Sequence, residues 1–188
     1  MEIVDEILLK FSSDKSLYIG EKVTISEHMI QSAMLAEKTN SSDDLICASL
    51  LHDYGHFIIA NPNKLVSDKM DGGHEKVGAK YLKKYFIDSI IEPIALHVSA
   101  KKYLCRNKNY LTSLSNASKV SLELQGGIMN NEESLKFEKN HYFKNAIQLR
   151  KFDESAKKEN LKIKRIEDYK DLLFIKLEII FSTMFIKI

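Results

Sequence analysis

Apolar residues recur at helical spacing along most of the chain. Ile25, Met29, Ala33 and Ala36 line one stripe, and Thr24 and Glu27 ahead of it stand at capping-box spacing, so a helix is predicted from there to about Lys38. Ser41-Ser42-Asp43-Asp44 supplies caps and negative charge for a second helix, Leu45 to His52 or slightly beyond. Loops are expected at Asn61-Pro62-Asn63 and Asp71-Gly72-Gly73, followed by a helix from His74 to about Tyr85. Asp88 can cap a fourth helix through Ile90, Ile91, Ile94, His97 and Lys101, with Pro93 near its first turn or bending it. Later come a helix ending at Gly126-Gly127, one around His141–Phe152, and an apolar C-terminal helix over about 166–188. No alternating run is long enough for a sheet. The expected fold is all-α: one helical bundle over 1–188, with the chemistry concentrated in about 18–153.

Composition narrows the class of protein. A chain of 188 residues, 44% hydrophobic and 29% charged, suits one soluble domain that buries its own core. The net charge of +2 gives no mandate for nucleic acid or an acidic membrane. Cys47 and Cys105 read as isolated thiols in a reducing compartment. Glu2, Asp5 and Glu6 spoil a signal peptide, and Lys176 and Glu178 interrupt the apolar stretch Leu172–Ile186, so no membrane span is expected. That stretch is expected to be a buried helix or one packed on a second subunit. A cytoplasmic monomer or homodimer follows.

The candidate chemistry lies in the six histidines, at positions 28, 52, 56, 74, 97 and 141. Any one of them, taken singly, reads as structural. Their order changes the reading: His28, His52-Asp53, His74, His97 and a late Asp153 offer four imidazoles and two carboxylates, each from a different helix or helix end. A bundle can converge such residues on one interior point. Imidazole and carboxylate without thiolate suit iron or manganese, and zinc as well. Six such side chains exceed what one octahedral metal can use while admitting substrate. Two metals bridged by a carboxylate fit better, with Asp53 the natural bridge. His141 falls outside this pattern and reads as a surface residue.

Longer stretches carry a resemblance. Tyr18-Ile19-Gly20-Glu21, His28, His52-Asp53-Tyr54-Gly55-His56 and Gly73-His74-Glu75-Lys76-Val77-Gly78-Ala79 belong to it. So do His97 with Lys101-Lys102-Tyr103-Leu104, then Ser118, Ser121, Gln125-Gly126-Gly127 and Lys151-Phe152-Asp153-Glu154. With these the chain resembles the HD-domain superfamily. Within it, the likeness is to the mixed-valent di-iron oxygenases that cleave organophosphonates and, more distantly, to myo-inositol oxygenase. It spans Tyr18 to about Lys162.

The resemblance implies one iron held by His28, His52, Asp53 and Asp153, and a second held by Asp53, His74 and His97, as an Fe(II)/Fe(III) pair bridged by Asp53. It puts His56, Lys101, Ser118 and Ser121 around the phosphonate and assigns Gln125 no role. It makes Tyr18 a movable ligand of the substrate-side iron, and Glu21 the partner of Tyr18 and of a substrate amine. The implied reaction uses O2 to cleave a 1-hydroxyphosphonate. 2-Amino-1-hydroxyethylphosphonate would give glycine and phosphate, and hydroxymethylphosphonate formate and phosphate. His74 and His97 stand 23 positions apart, one fewer than in the family pattern, and a deletion near Tyr85-Phe86-Ile87 would absorb the difference. The rival reading is an HD-type metal-dependent phosphohydrolase acting on a nucleotide or phosphomonoester. Tyr18, Glu21 and Lys101 favour the oxygenase, since water activation has no evident use for them.

Overall fold

The computed structural model describes residues 2–18, 21–59 and 72–177. The loop expected at Asn61-Pro62-Asn63, Asp71, the pair Ile19-Gly20 and residues 178–188 lie outside the described residues. Helices account for the architecture. Among the described residues the β-type pairing consists of two isolated antiparallel bridges, Leu17 with Thr24 and Phe86 with Leu177.

Helix α1 (Glu2–Ser13) buries Ile3, Val4, Ile7 and Phe11, an apolar stripe on one face. A short turn then leads into α2 (Ile25–Lys38). Tyr18 N–H donates to the Val23 carbonyl at 2.8 Å and Ile25 N–H to that of Ser16 at 3.0 Å. The predicted capping box starts α2, with Thr24 Oγ1 accepting from Glu27 N–H and the Glu27 carboxylate from Thr24 N–H. Helix α3 (Asp43–Leu51) follows from N-cap Ser42. Beyond it Tyr54–Phe57 forms one 3-10 turn.

Helix α4 (His74–Leu82) is shorter than its apolar pattern suggested. Tyr85 and Phe86 turn back onto the Leu82 carbonyl, and Phe86 is buried. Helix α5 (Asp88–Leu104) starts from Ile87, and Asp88, expected as its cap, is the first helical residue, paired with Lys83 at 3.3 Å. Pro93 lies in the second turn of α5, where it removes the N–H that would bond the Ser89 carbonyl.

Two short helices, α6 (Lys108–Ser113) and α7 (Asn116–Leu124), come next. Gly126 and Gly127, at φ 87° and 74°, end α7 with N–H bonds to the Glu123 and Leu122 carbonyls, a Schellman closure. Then follow α8 (Asn131–Glu138) and α9 (Phe143–Ser155). A 3-10 turn over Ile166–Tyr169 precedes α10 (Lys170–Lys176), and Leu177 then turns to extended backbone that pairs with Phe86, so the helix expected over about 166–188 is broken within the described residues.

Helices α2, α3, α5 and α9 pack on one another, and α4 lies against α5 and the 3-10 turn. The main core joins Val4, Ile7, Met29, Leu50, Leu51, Ile90, Ile94, Leu149 and Leu173, all essentially inaccessible. This arrangement brings the first turns of α2 and α4, the end of α3, the middle of α5 and the last turn of α9 to one interior point. No described helix is long and apolar enough to cross a membrane.

Candidate metal centre

Asp53 sits where α3 gives way to the 3-10 turn, and its carboxylate divides between two sets of ligand-type atoms. Oδ2 lies 3.5 Å from His28 Nε2 and 3.4 Å from His52 Nε2. Oδ1 lies 3.2 Å from His74 Nε2 and 3.5 Å from His97 Nε2. Asp153 Oδ1 completes the first set, 3.3 Å from His28 Nε2 and 3.9 Å from His52 Nε2. His28, His52 and Asp153, and separately Asp53, His74 and His97, have ligand atoms within 4.8 Å of one another. All but the slightly accessible His74 are buried.

The donor chemistry fits a cation in each set. Three rings fix their own tautomer: Nδ1–H of His28, His52 and His97 donates to the carbonyls of Ala156, Ser49 and Ile94 at 2.9, 2.9 and 2.7 Å. A carbonyl only accepts, so the proton is on Nδ1 and each Nε2 presents a lone pair. The His28 and His52 Nε2 atoms nevertheless face each other at 3.1 Å, as do those of His74 and His97. Both Asp53 oxygens and Asp153 Oδ1 are buried with no hydrogen-bond donor among the described residues. Lone pairs and anionic oxygens converging in a dry interior are costly unless a metal ion binds between them.

Close backbone contact sets the second group. A Cβ on Gly55 would lie 2.0 Å from the His74 carbonyl oxygen, and one on Gly78 2.8 Å from Gly55 N. Only glycine lets the 3-10 turn and α4 meet backbone to backbone, which brings His74 to Asp53. Glu6 of α1 braces the same pair of elements, accepting from Tyr54 O–H at 3.0 Å and Tyr81 O–H at 2.7 Å.

Burial by itself would push the carboxyls of Asp53 and Asp153 up. The His52 and His74 rings around Asp53, and Arg150 with His28 and His52 around Asp153, instead hold both well below the usual carboxylate range. Burial lowers His52, takes His56 down to about 4 and takes His97 to about 3, so those imidazoles are neutral bases at neutral pH. His74 moves the other way: burial alone would lower it, but the Asp53 carboxylate beside it outweighs burial and raises it.

Arg150, absent from the sequence reading, is buried and donates to Asp153 Oδ2 through one guanidinium nitrogen and to Glu154 through another. Its Nε reaches Tyr110 O–H at 3.2 Å. That grip turns Asp153 Oδ1 toward the histidines. The signal was in the sequence as i,i+3 and i,i+4 charge spacing on one helix face. Glu75, which the sequence pattern did not single out, is buried beside His74 with Oε2 3.9 Å from Nδ1.

The predicted substrate-side residues surround this centre. The Tyr18 ring stacks on His28, with centroids 4.1 Å apart and planes at 18°. His56 stacks on His74 at 4.3 Å and 16°, and meets the Tyr18 ring edge-on. Lys101 lies one turn beyond His97, 4% exposed, and donates to Ser121 Oγ at 2.8 Å. Burial pulls its ammonium down to about 8. Ser118 Oγ donates to Glu154 at 3.2 Å and accepts from Lys157 Nζ at 2.9 Å. Glu21 bonds its N–H to the Tyr18 carbonyl at 2.9 Å and points its carboxylate at Lys157. Gln125 Oε1 is buried without a hydrogen-bond partner among the described residues, and His141 is exposed, apart from this group.

Comparison with known proteins gives the arrangement a lineage. The HD domain family model matches residues 25–125, which include His28, His52, Asp53, His74 and His97. The chain is 41% identical to the hydroxymethylphosphonate dioxygenase of Gimesia maris over 81% of its own length and 77% of the relative's. It is 42% identical to the glycine-betaine-forming [1-hydroxy-2-(trimethylamino)ethyl]phosphonate dioxygenase of Leisingera caerulea, over 77% of this chain and 74% of that one. Both alignments are long and both relatives are phosphonate dioxygenases. The chain therefore belongs to the HD-domain family, in the branch that contains these two phosphonate dioxygenases.

Proposed function

We propose that the protein is an iron-dependent oxygenase that uses O2 to break the C–P bond of a 1-hydroxyphosphonate, releasing phosphate and a carboxylic acid. The observation that carries this reading is the Asp53 carboxylate, whose two oxygens each join a separate cluster of imidazole nitrogens. His28, His52, Asp53 and Asp153 would hold one iron, and Asp53, His74 and His97 the other, as an Fe(II)/Fe(III) pair. The second set has fewer protein ligands, which suits it to receive substrate. When bound, the irons supply O2 activation and the redox equivalents. For hydroxymethylphosphonate the balance is one O2 in and formate plus phosphate out, with no external reductant.

The protein's own residues bind and orient the substrate. Lys101 and Ser121, with Ser118, form the cradle for a phosphonate, where a buried cation and hydroxyls offset its charge. His56, neutral at pH 7, offers a ring N–H to the same group. Tyr18 covers His28 and closes the side of the site near Glu21. The dry surroundings keep bulk water from the reacting carbon. A small organophosphonate and O2 are thus the partners, and a role in organophosphonate catabolism in the cytoplasm follows.

The test is phosphate release from hydroxymethylphosphonate and 2-amino-1-hydroxyethylphosphonate by protein carrying two irons, with and without O2. Product that requires O2, one phosphate per O2 consumed, is the expected result. Phosphate from a phosphomonoester or nucleotide under strict anaerobiosis, with neither phosphonate consumed, would make the protein an HD phosphohydrolase instead.

A further inference from the structure

Lys157 follows the C-terminal cap of α9, and its backbone is pinned on both sides. The carbonyl of Ala156 takes the Nδ1–H of His28 at 2.9 Å. Lys158 is held through its N–H and carbonyl by the Gln31 side chain at 3.0 and 2.9 Å. From that fixed base the ammonium reaches Ser118 Oγ at 2.9 Å, Glu154 Oε1 at 3.4 Å and Glu21 Oε1 at 3.6 Å, 5.8 Å from the centre of the Tyr18 ring. The Lys157 and Glu21 side chains are only 10% and 17% exposed. Glu21 Oε1 is buried and accepts no hydrogen bond among the described residues, and the cation described beside it is this ammonium.

A carboxylate beside a phosphonate site is the natural receiver of a substrate ammonium. Here that position already holds a cation belonging to the chain. We infer that Lys157 is a specificity-determining residue: its ammonium stands opposite Glu21 where a cationic C2 substituent would have to bind. It thereby directs the site to 1-hydroxyphosphonates that carry no positive charge, hydroxymethylphosphonate being the simplest. An incoming ammonium must either displace Lys157 from Ser118 and Glu154 or lie against a like charge in a poorly solvated place. An uncharged C1 substituent asks for neither. The inference rests on the 1-hydroxyphosphonate reading above and deepens it.

Wild-type protein loaded with two irons is compared on hydroxymethylphosphonate and 2-amino-1-hydroxyethylphosphonate, by kcat/KM for phosphate release and by affinity in anaerobic titration. The wild type favours hydroxymethylphosphonate by about tenfold or more, the scale of one uncompensated like-charge contact. Lys157→Met shifts that preference about tenfold toward the aminated compound, through KM and affinity rather than kcat, while Lys157→Arg keeps the wild-type order. A wild type that favours the aminated compound overturns the inference, and this comparison decides the matter even if the methionine variant fails to fold. So does a methionine variant that weakens both compounds equally, which would make Lys157 a phosphonate ligand only. Failure of the two-iron protein to consume either compound defeats the reaction class itself, a result separate from any change in their ratio.

Discussion

Asp53 is the residue on which both halves of the centre depend, because each of its oxygens faces a different pair of imidazoles. Asp53→Asn keeps the shape and removes the charge, so bound iron should fall from two per chain to one or fewer, read by metal analysis after gel filtration. Arg150 works one step back: Arg150→Met frees Asp153 to rotate and should cost about 10- to 100-fold in iron affinity or turnover, the range for residues that orient ligands. Lys101 gives a prediction with a sign. Its ammonium titrates near 8 in the fold, because burial disfavours the charge, against an ordinary value of 10.5. On the proposed function the phosphonate would therefore lose its charge partner as pH rises through about 8, and KM should climb from there. Stability moves the other way: between about 8 and 10.5 the unfolded chain holds the proton that the folded chain has released, so the fold gains as pH rises. A KM that rises while Tm holds or increases separates loss of the cation from alkaline unfolding. All six ligand candidates could be read in the sequence as residue types in order. Lys157 could not, and Arg150 showed only as i,i+3 and i,i+4 charge spacing, because a basic side chain declares its role only when one sees which carboxylate it faces.

At the scale of elements, the contact between the Tyr54–Phe57 turn and α4 decides whether His74 reaches Asp53. A Cβ at Gly55 would meet the His74 carbonyl at 2.0 Å, backbone against backbone, with no flexible end to give way. Gly55→Ala should push α4 outward, cost about 1–3 kcal/mol of stability as overpacking does, and empty the His74/His97 set before the His28/His52 set. One remaining iron per chain with a lowered denaturation midpoint would be the signature. Two retained irons would show that α4 accommodates the methyl. Helix starts with a side-chain cap and a long apolar stripe were legible, as Thr24–Glu27 ahead of Ile25, Met29, Ala33 and Ala36 illustrates. Asn130 and Glu133 form the same capping box ahead of α8, yet that helix buries only Ser134 and Phe137, too little pattern to read. Helix α1 buries a clear stripe in Ile3, Val4, Ile7 and Phe11, absent from the sequence reading. The early end of α4 was hidden because Tyr85 and Phe86 continue its apolar pattern while serving a turn and the bridge to Leu177.

Over the whole molecule, the centre is where the bundle's elements meet: ligand candidates come from α2, the end of α3 and the turn after it, α4, α5 and α9. Without cations the core holds two carboxylates and facing imidazole lone pairs, an arrangement that opposes packing of these same helices. Metal binding would turn that repulsion into five-way cross-linking, and since the unfolded chain cannot gather the set, the binding free energy would be added to folding. Iron held at about a thousand times its dissociation constant contributes about 4 kcal/mol. In a chain of this size each kcal/mol moves Tm by about 2–4 °C, so chelation should lower Tm by about 8–16 °C for each iron so held. Restoring Fe(II) should recover the loss. Asp53→Asn should show a smaller difference between metal-loaded and chelated protein than the wild type, because it binds less metal and its stripped core carries one negative charge fewer. If chelation left Tm unchanged in a wild type shown to bind two irons, the helices would be assembling the site without help from the metal. The close approach of the four histidine nitrogens would then have to be stabilised by packing alone.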